Sequence, residues 1–296
     1  MRNRGQSNKL AQTQIQGLNQ LRFLAAMLVF TQHALSNAHL DQWIDIGGWR
    51  VGRIGTALFF LLSGFLSART TRKPLTWLRD RVTFLFPPFW IVTIGGFVLA
   101  AATRGKPFDV WQVISQLSGT GYFTHGERMV NVATWFMSPL ILLYFAVTLA
   151  RLVSARSSTV VLIVGLVLVS LTIPSEKATV YCHAATFFVA FGIGLVRDER
   201  HTLAAAIAAG FMISMACLQT ELRYGALACV LLLLAFPVKR EIRLCNHFSK
   251  FAYEWFLVHG LCITTISRIT ASPFVVFVFG AGLSIAAAVA LQRSVR

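Results

Sequence analysis

The stretch "NQLRFLAAMLVFTQHAL", residues 19–35, decides how the rest of the chain is read. From Phe23 to Phe30 every residue is apolar, the pattern of a helix inside hydrocarbon. The run is entered through Arg22 and carries His33 eleven residues later. Eleven steps of about 100° make three turns plus about 20°, so both side chains leave nearly the same helix face, about 16 Å apart along the axis. Charged and titratable groups are costly inside a bilayer and mark functional positions there. A shared face favours one site that bridges two depths. Two plainer readings stay open: Arg22 as a rim residue that snorkels to the interface, and His33 as a packing residue bonded to Gln32 or Thr31.

The remainder of the sequence has the same character. Of 296 residues, 56% are hydrophobic and 13% charged, and the mean hydropathy is +0.65. A water-soluble chain carries about 25% charged residues. The expected class is an all-α, polytopic membrane helix bundle. Its apolar segments are continuous rather than alternating, which argues against a β-barrel. The net charge of +16 would point to nucleic acid in a soluble protein. Here most of the positive charge falls in short loops between apolar runs, so no nucleic-acid partner is expected. The five cysteines (Cys182, Cys217, Cys229, Cys245, Cys262) are scattered with no C-x-x-C pair. They read as small packing residues, and no metal site is expected.

About ten spans are expected, at 18–38, 51–68, 82–102, 132–151, 158–173, 178–196, 202–219, 222–237, 248–268 and 273–291. Residues 1–17 form a polar N-terminal tail and 18–296 the transmembrane domain. No small-residue cleavage site closes the first apolar run, so the first span is expected to be an uncleaved anchor. With ten spans, 18 of the 27 basic residues fall on the side of the termini and eight on the other, with Arg22 at the border. The positive-inside rule then places both termini in the cytoplasm. Residues 103–131 make a long outer loop, and loops of that length carry function or are disordered. Its part "FDVWQVISQL" is expected to form an interfacial helix with Phe108, Trp111, Ile114 and Leu117 on one face.

Other residues carry chemistry in principle. His259, in "SKFAYEWFLVHG", lies near mid-membrane by count from Lys250. Glu254 is five residues earlier, about 140° around the helix, so the two need not face one another. Either residue is a candidate for a polar cavity or for structural pairing. Ser63-Gly64 in "GTALFFLLSGFLSART" lacks the G-x-S-x-G elbow of an activated serine. Gly52, Gly55, Ser63 and Gly64 suit close helix packing better. The cytoplasmic stretch "ARTTRKPLTWLRDR" is ordinary positive-inside topology or a phosphate-binding surface, since guanidinium forks match phosphate oxygens.

"LRFLAAMLVFTQHA", "GTALFFLLSGFLSA", "RVTFLFPPFW", "TWFMSPLILLYF" and "YEWFLVHG", in this order, resemble the membrane-bound acyltransferase family 3 over nearly the whole chain. These enzymes O-acylate sugars of bacterial envelope polysaccharides and glycosylated small molecules. The resemblance implies that His33 is the essential catalytic histidine and Arg22 its paired basic residue. Arg81 matches the first arginine of the family's Arg-x-x-Arg motif, and Phe84 stands at the second. Leu140 replaces a glutamate that some members carry, as expected of the compact branch without an attached extracytoplasmic domain; the chain's end soon after the tenth span agrees.

The resulting expectation is an O-acyltransferase of the bacterial inner membrane. It moves an acetyl or similar group from cytoplasmic acetyl-CoA (acyl-CoA), a donor substrate and not a permanently bound cofactor, to a hydroxyl of an exopolysaccharide or other exported glycan. Arg22, Arg69, Arg72 and Arg81 would take the donor's phosphates, and His259 and Glu254 would contact the acceptor. Lipid-linked sugars, the bilayer and other polysaccharide-synthesis proteins are the implied partners. Two alternatives stay open: a polytopic transporter, although no inverted repeat is visible, and a non-catalytic glycan-binding relative.

Overall fold

The computed structural model describes residues 4–104, 108–173, 175–196, 200–238, 242–270 and 272–295. Of the basic residues that set the expected orientation, Arg2, Lys106, Arg197, Lys239, Arg240 and Arg296 lie outside these, as do the side chains of Arg4, Lys9, Arg104 and Lys177.

Every apolar segment expected to span is helical. In chain order the helices are α1 (Arg4–Asn37), α2 (Val51–Ala68), α3 (Pro74–Arg104), α4 (Val110–Leu117), α5 (Gly121–His125), α6 (Met137–Val153), α7 (Ala155–Thr172), α8 (Ser175–Leu195), α9 (His201–Ala216), α10 (Leu222–Ala235), α11 (Arg243–Ser249), α12 (Ala252–Ser267) and α13 (Pro273–Val295). Among the described residues, six stretches are long and apolar enough to cross a membrane: α2, α3, α7, α8 within Ala178–Leu195, α13, and Val132–Val153, which includes α6. The helices α9 and α10 are shorter but apolar. Among the described residues the regular structure is helical apart from two two-residue strands, Asp45–Ile46 and Trp49–Arg50, on either side of Gly47 and Gly48. These two glycines have φ of 59° and 81°, which residues with a Cβ rarely adopt.

Several boundaries differ from the sequence expectation, among them that of α3, which begins at Pro74 and not at 82. The first helix begins at Arg4, not at 18. Its 34 residues reach about 50 Å, beyond the ~30 Å of a hydrocarbon core, so a polar helical extension continues the apolar span. The expected span at 132–151 opens with a 3-10 turn, Val132–Thr134, capped by Asn131, whose side chain accepts from the Ala133 amide. The expected span at 248–268 begins only at Ala252, because α11 ends at Ser249. Within α3, Pro87 and Pro88 are accommodated without ending the helix. They lack the amides that would bond to the carbonyls of Thr83 and Phe84.

The long loop expected at 103–131 also differs in detail. Its helix α4 exposes Val110, Trp111 and Ile114, while Phe108 packs edge-on against Phe97 and the Leu117 carbonyl accepts from Trp90 Nε1 at 2.8 Å. The buried face is the polar one. Ser115 Oγ lies 2.9 Å from His125 Nε2, and Gln116 Oε1 accepts from the Val130 amide at 3.0 Å. An apolar face turned outward from a polar interior is the arrangement expected at a membrane surface.

The chain divides into two compact units. The first comprises Met1–Val29, Trp49–Thr71 and Ala150–Lys250, and the second Phe30–Gly48, Arg72–Leu149 and Phe251–Arg296. In the first unit, glycines let backbones touch. A Cβ at Gly64 of α2 would sit 2.0 Å from the Phe187 carbonyl oxygen of α8, and one at Gly194 of α8 would sit 2.7 Å from that of Phe65. Gly17 approaches the Ala235 carbonyl in the same way, at 2.2 Å. Lipid tails are as apolar as leucine, so helices in a bilayer cohere through such close packing rather than through escape from water. Around these crossings lies a buried core that includes Leu58, Leu61, Phe65, Val189, Ile193, Leu222 and Leu232.

One end of the first unit is held by charge. Arg53 forms an ion pair with the buried Glu221, whose second oxygen accepts from Thr179 Oγ1 at 3.1 Å. The Arg223 guanidinium lies 5.0 Å from the Trp49 ring centre and 5.1 Å from that of Tyr224. In the second unit, Trp255 Nε1 donates to Ser284 Oγ at 2.8 Å, tying α12 to α13.

Gly64→Ala is expected to lower stability by about 1–3 kcal/mol, because backbone rather than a mobile side chain stands in the way. Gly165→Ala, in α7 with nothing within 4 Å of the added atom, is expected to be neutral or to stabilise by up to about 1 kcal/mol. Thermal unfolding of the two variants in detergent measures both.

Candidate functional site

The second unit brings two of the expected site residues together. α1 presents Phe30 and, three residues on, His33. α12 presents Trp255 and, four residues on, His259. The Phe30 ring lies 5.6 Å from Trp255 and 5.5 Å from Phe277, and the His33 ring lies 5.1 Å from His259, centre to centre. Spacings of three and four residues put each pair of side chains on one helix face. The aromatic contact and the imidazole contact follow one another in the same order along both helices, so α1 and α12 run in the same sense here.

The tautomer of His259 follows from its neighbours. Its Nδ1 lies 3.2 Å from the Trp255 carbonyl oxygen, which can only accept, so Nδ1 carries the proton. Nε2 then holds a lone pair. The residue is 2% exposed, and this Nε2 has no hydrogen-bond partner among the described residues. Buried polar atoms are nearly always paired, and an unpaired one marks a position for a ligand or water. His33 is half-buried, and its backbone carbonyl accepts from Asn37 Nδ2 at 2.9 Å.

The segment behind His259 is fixed by Asn131. Its Nδ2 donates to the Leu257 carbonyl at 3.0 Å while its Oδ1 accepts from the Ala133 amide at 3.2 Å. Gly260 makes this possible: a Cβ there would lie 2.6 Å from Ala133 Cβ and 2.9 Å from Asn131 Oδ1. Phe256 packs edge-on against both His259 and Phe136.

The other expected residues lie as follows. Glu254 is buried on α12, and the helix period turns it about 140° from His259. Arg72 pairs with Asp80, which Arg79 also approaches at 3.6 Å. The Arg81 guanidinium lies 5.8 Å from the centre of the Trp77 ring. Phe84 packs against Tyr253 at 5.9 Å. Those residues belong to the second unit. In the first, Arg22 Nη1 donates to Asn19 Oδ1 at 3.3 Å. Arg69 Nη1 lies 3.3 Å from His201 Nε2, which is only 2.8 Å from the Val196 carbonyl. That carbonyl can only accept, so Nε2 is protonated and Arg69 lies beside it without a bond between them.

Sequence reasoning missed Asn131, Phe30 and Trp255. An asparagine followed by Val-Ala-Thr before an apolar run is a helix-capping signal that could have flagged Asn131. Phe30 and Trp255 had no such signal, being aromatic residues among many. Among the described residues no three His, Cys, Asp or Glu side chains cluster as metal ligands, and two imidazoles are fewer than a catalytic zinc site uses.

A family model described as an acyltransferase domain matches residues 15–293. No curated protein and no solved structure matches the chain.

Asn131→Ala removes the donor to a buried carbonyl and the acceptor of a buried amide. We expect a stability loss of about 1–3 kcal/mol, measured by thermal unfolding in detergent.

Proposed function

The chain belongs to the acyltransferase family 3, and we propose that it transfers an acetyl or similar acyl group from cytoplasmic acyl-CoA to a hydroxyl of an envelope or exported glycan, in the inner membrane of a bacterium. The observation that carries this reading is the imidazole pair, half-buried His33 on α1 and buried His259 on α12, with the lone pair of His259 Nε2 unused.

In the ten-span order read from the sequence both termini are cytoplasmic, since the basic residues favour that side. In that order α1 and α12 are the first and ninth spans and cross in the same direction. The parallel sense of their contact in the second unit agrees. Arg22, Arg69, Arg72 and Arg81 then stand toward the cytoplasmic ends of their segments, and we assign them to the donor's phosphates. Phe84, packed against Tyr253, stands where the resemblance puts a second arginine, so no guanidinium serves the phosphates at that position.

The acceptor hydroxyl comes from the outer side, with His259 Nε2 as its hydrogen-bond acceptor and Glu254 as a further polar contact. His33 takes the hydroxyl proton as the oxygen attacks the thioester carbonyl. The carbon–sulfur bond breaks, and the departing thiolate takes the proton from His33. A neutral imidazole suits this exchange because its ordinary titration lies near neutral pH. General-base catalysis of this kind contributes about 10²–10⁴ in rate.

The test uses the purified protein in lipid nanodiscs with acetyl-CoA and a glycan acceptor, following release of the free CoA thiol. His33→Ala should lower turnover about 10²–10⁴-fold. Arg22→Gln should raise the KM for acetyl-CoA more than it lowers kcat. His33→Ala protein that transfers acetyl at the parent rate would overturn the proposal.

A further inference from the structure

The first unit contains a second feature that acyl transfer does not use. A cleft of about 560 Å³ opens between α7 and the end of α8. Val160, Ile163, Gly192 and Val196 line it, and Arg156 and Arg200 stand at its rim. We propose that it binds an anionic phospholipid of the surrounding bilayer, with the headgroup phosphate on the two guanidiniums and an acyl chain along the apolar wall.

Charge points to this occupant. Among the described residues no carboxylate lies in an ion pair with Arg156 or Arg200, and Asp198 and Glu199 lie outside those residues. Both arginines also stand at helix N-termini: Arg156 is the second residue of α7, and Arg200 precedes α9. The dipole of a helix already favours an anion at that end, so a cation there adds like charge. A phosphate between them reverses the sign.

The apolar half points to a lipid rather than to a free anion. α7 is the least buried of the membrane-length helices, with 17% of its residues inside the protein. Val160 is 61% exposed and Val164 50%, so the wall of the cleft continues onto an open apolar surface. The side of the membrane fits as well. Both arginines stand at helix starts that the sequence reading puts on the side of the termini, where the positive-inside rule places the cytoplasm. Basic pockets between helices on that side recognise anionic headgroups. Gly192 keeps the floor open: a Cβ there would meet only Thr159 Cγ2, at 3.5 Å. A larger side chain at 192 therefore enters the cleft without displacing backbone.

The test is native mass spectrometry of the full chain released from nanodiscs. The discs contain phosphatidylglycerol and phosphatidylcholine with identical acyl chains. Both lipids carry the phosphate, so any preference reports net headgroup charge. The parent protein should retain phosphatidylglycerol selectively. The double variant Arg156→Gln/Arg200→Gln should lose about 30-fold of that preference, with an unchanged melting temperature in pure phosphatidylcholine. Gly192→Leu should reduce retention of the lipid by filling the groove. Undiminished preference in the double variant overturns the proposal, as does full retention in Gly192→Leu. Displacement of the lipid by inorganic phosphate alone would also overturn it, since that result describes a free-anion site. Each readout is lipid retention, independent of whether the protein turns over acyl-CoA.

Discussion

Inside hydrocarbon a polar atom has no water to fall back on, and this governs where each polar group in the molecule can be. The helices satisfy their own backbones, and among themselves they cohere by close approach. Gly64 against the Phe187 carbonyl and Gly194 against that of Phe65 bring α2 and α8 to backbone contact within the first unit. The same constraint makes every buried side-chain nitrogen or oxygen informative. Each is either paired, in which case it builds structure, or left with a free valence, in which case something else is meant to meet it.

Two sets of buried polar groups show the contrast. Arg53, Glu221 and Thr179 form a closed network: the carboxylate meets a guanidinium on one oxygen and a hydroxyl on the other. Removing one partner of such a pair is costly, since the other charge stays behind. The imidazole pair in the second unit is open. His259 uses Nδ1 on the Trp255 carbonyl and leaves Nε2 with a lone pair beside the ring of His33. The aromatic contacts of Phe30 with Trp255 and Phe277, and the Asn131 clamp on Leu257, hold the backbone from which these rings project. Closed networks thus carry the fold, and the open pair is where the proposed chemistry is placed.

Much of this was legible in the sequence, for reasons that can be stated. Helix positions were, because continuous apolar runs leave few alternatives to a helix; the expected 51–68 matches α2 to the residue. The beginning of α1 was not, since composition alone does not tell a polar tail from a polar helix. Apolarity likewise cannot show the break between α11 and α12, which lies in the short stretch between Ser249 and Ala252. In the site, His33 stood out as a titratable group in an apolar run, and His259 for the same reason. That their rings touch could not be read, because they are more than two hundred residues apart and no local period links them. Glu221 and Arg223 looked like a brief interruption between two apolar segments. They are part of a charged and aromatic assembly at one end of the first unit. A single charge in a sequence does not reveal its partner.

The central claim is that the acyl donor reaches His33. It is tested most directly by histidine modification with diethyl pyrocarbonate, mapped by peptide mass spectrometry, on the protein with and without a non-hydrolysable thioether analogue of acetyl-CoA. The account predicts that His33 is carbethoxylated in the free protein and protected when the analogue is bound, while the exposed His39 reacts equally in both. Equal modification of His33 with and without saturating analogue would contradict it.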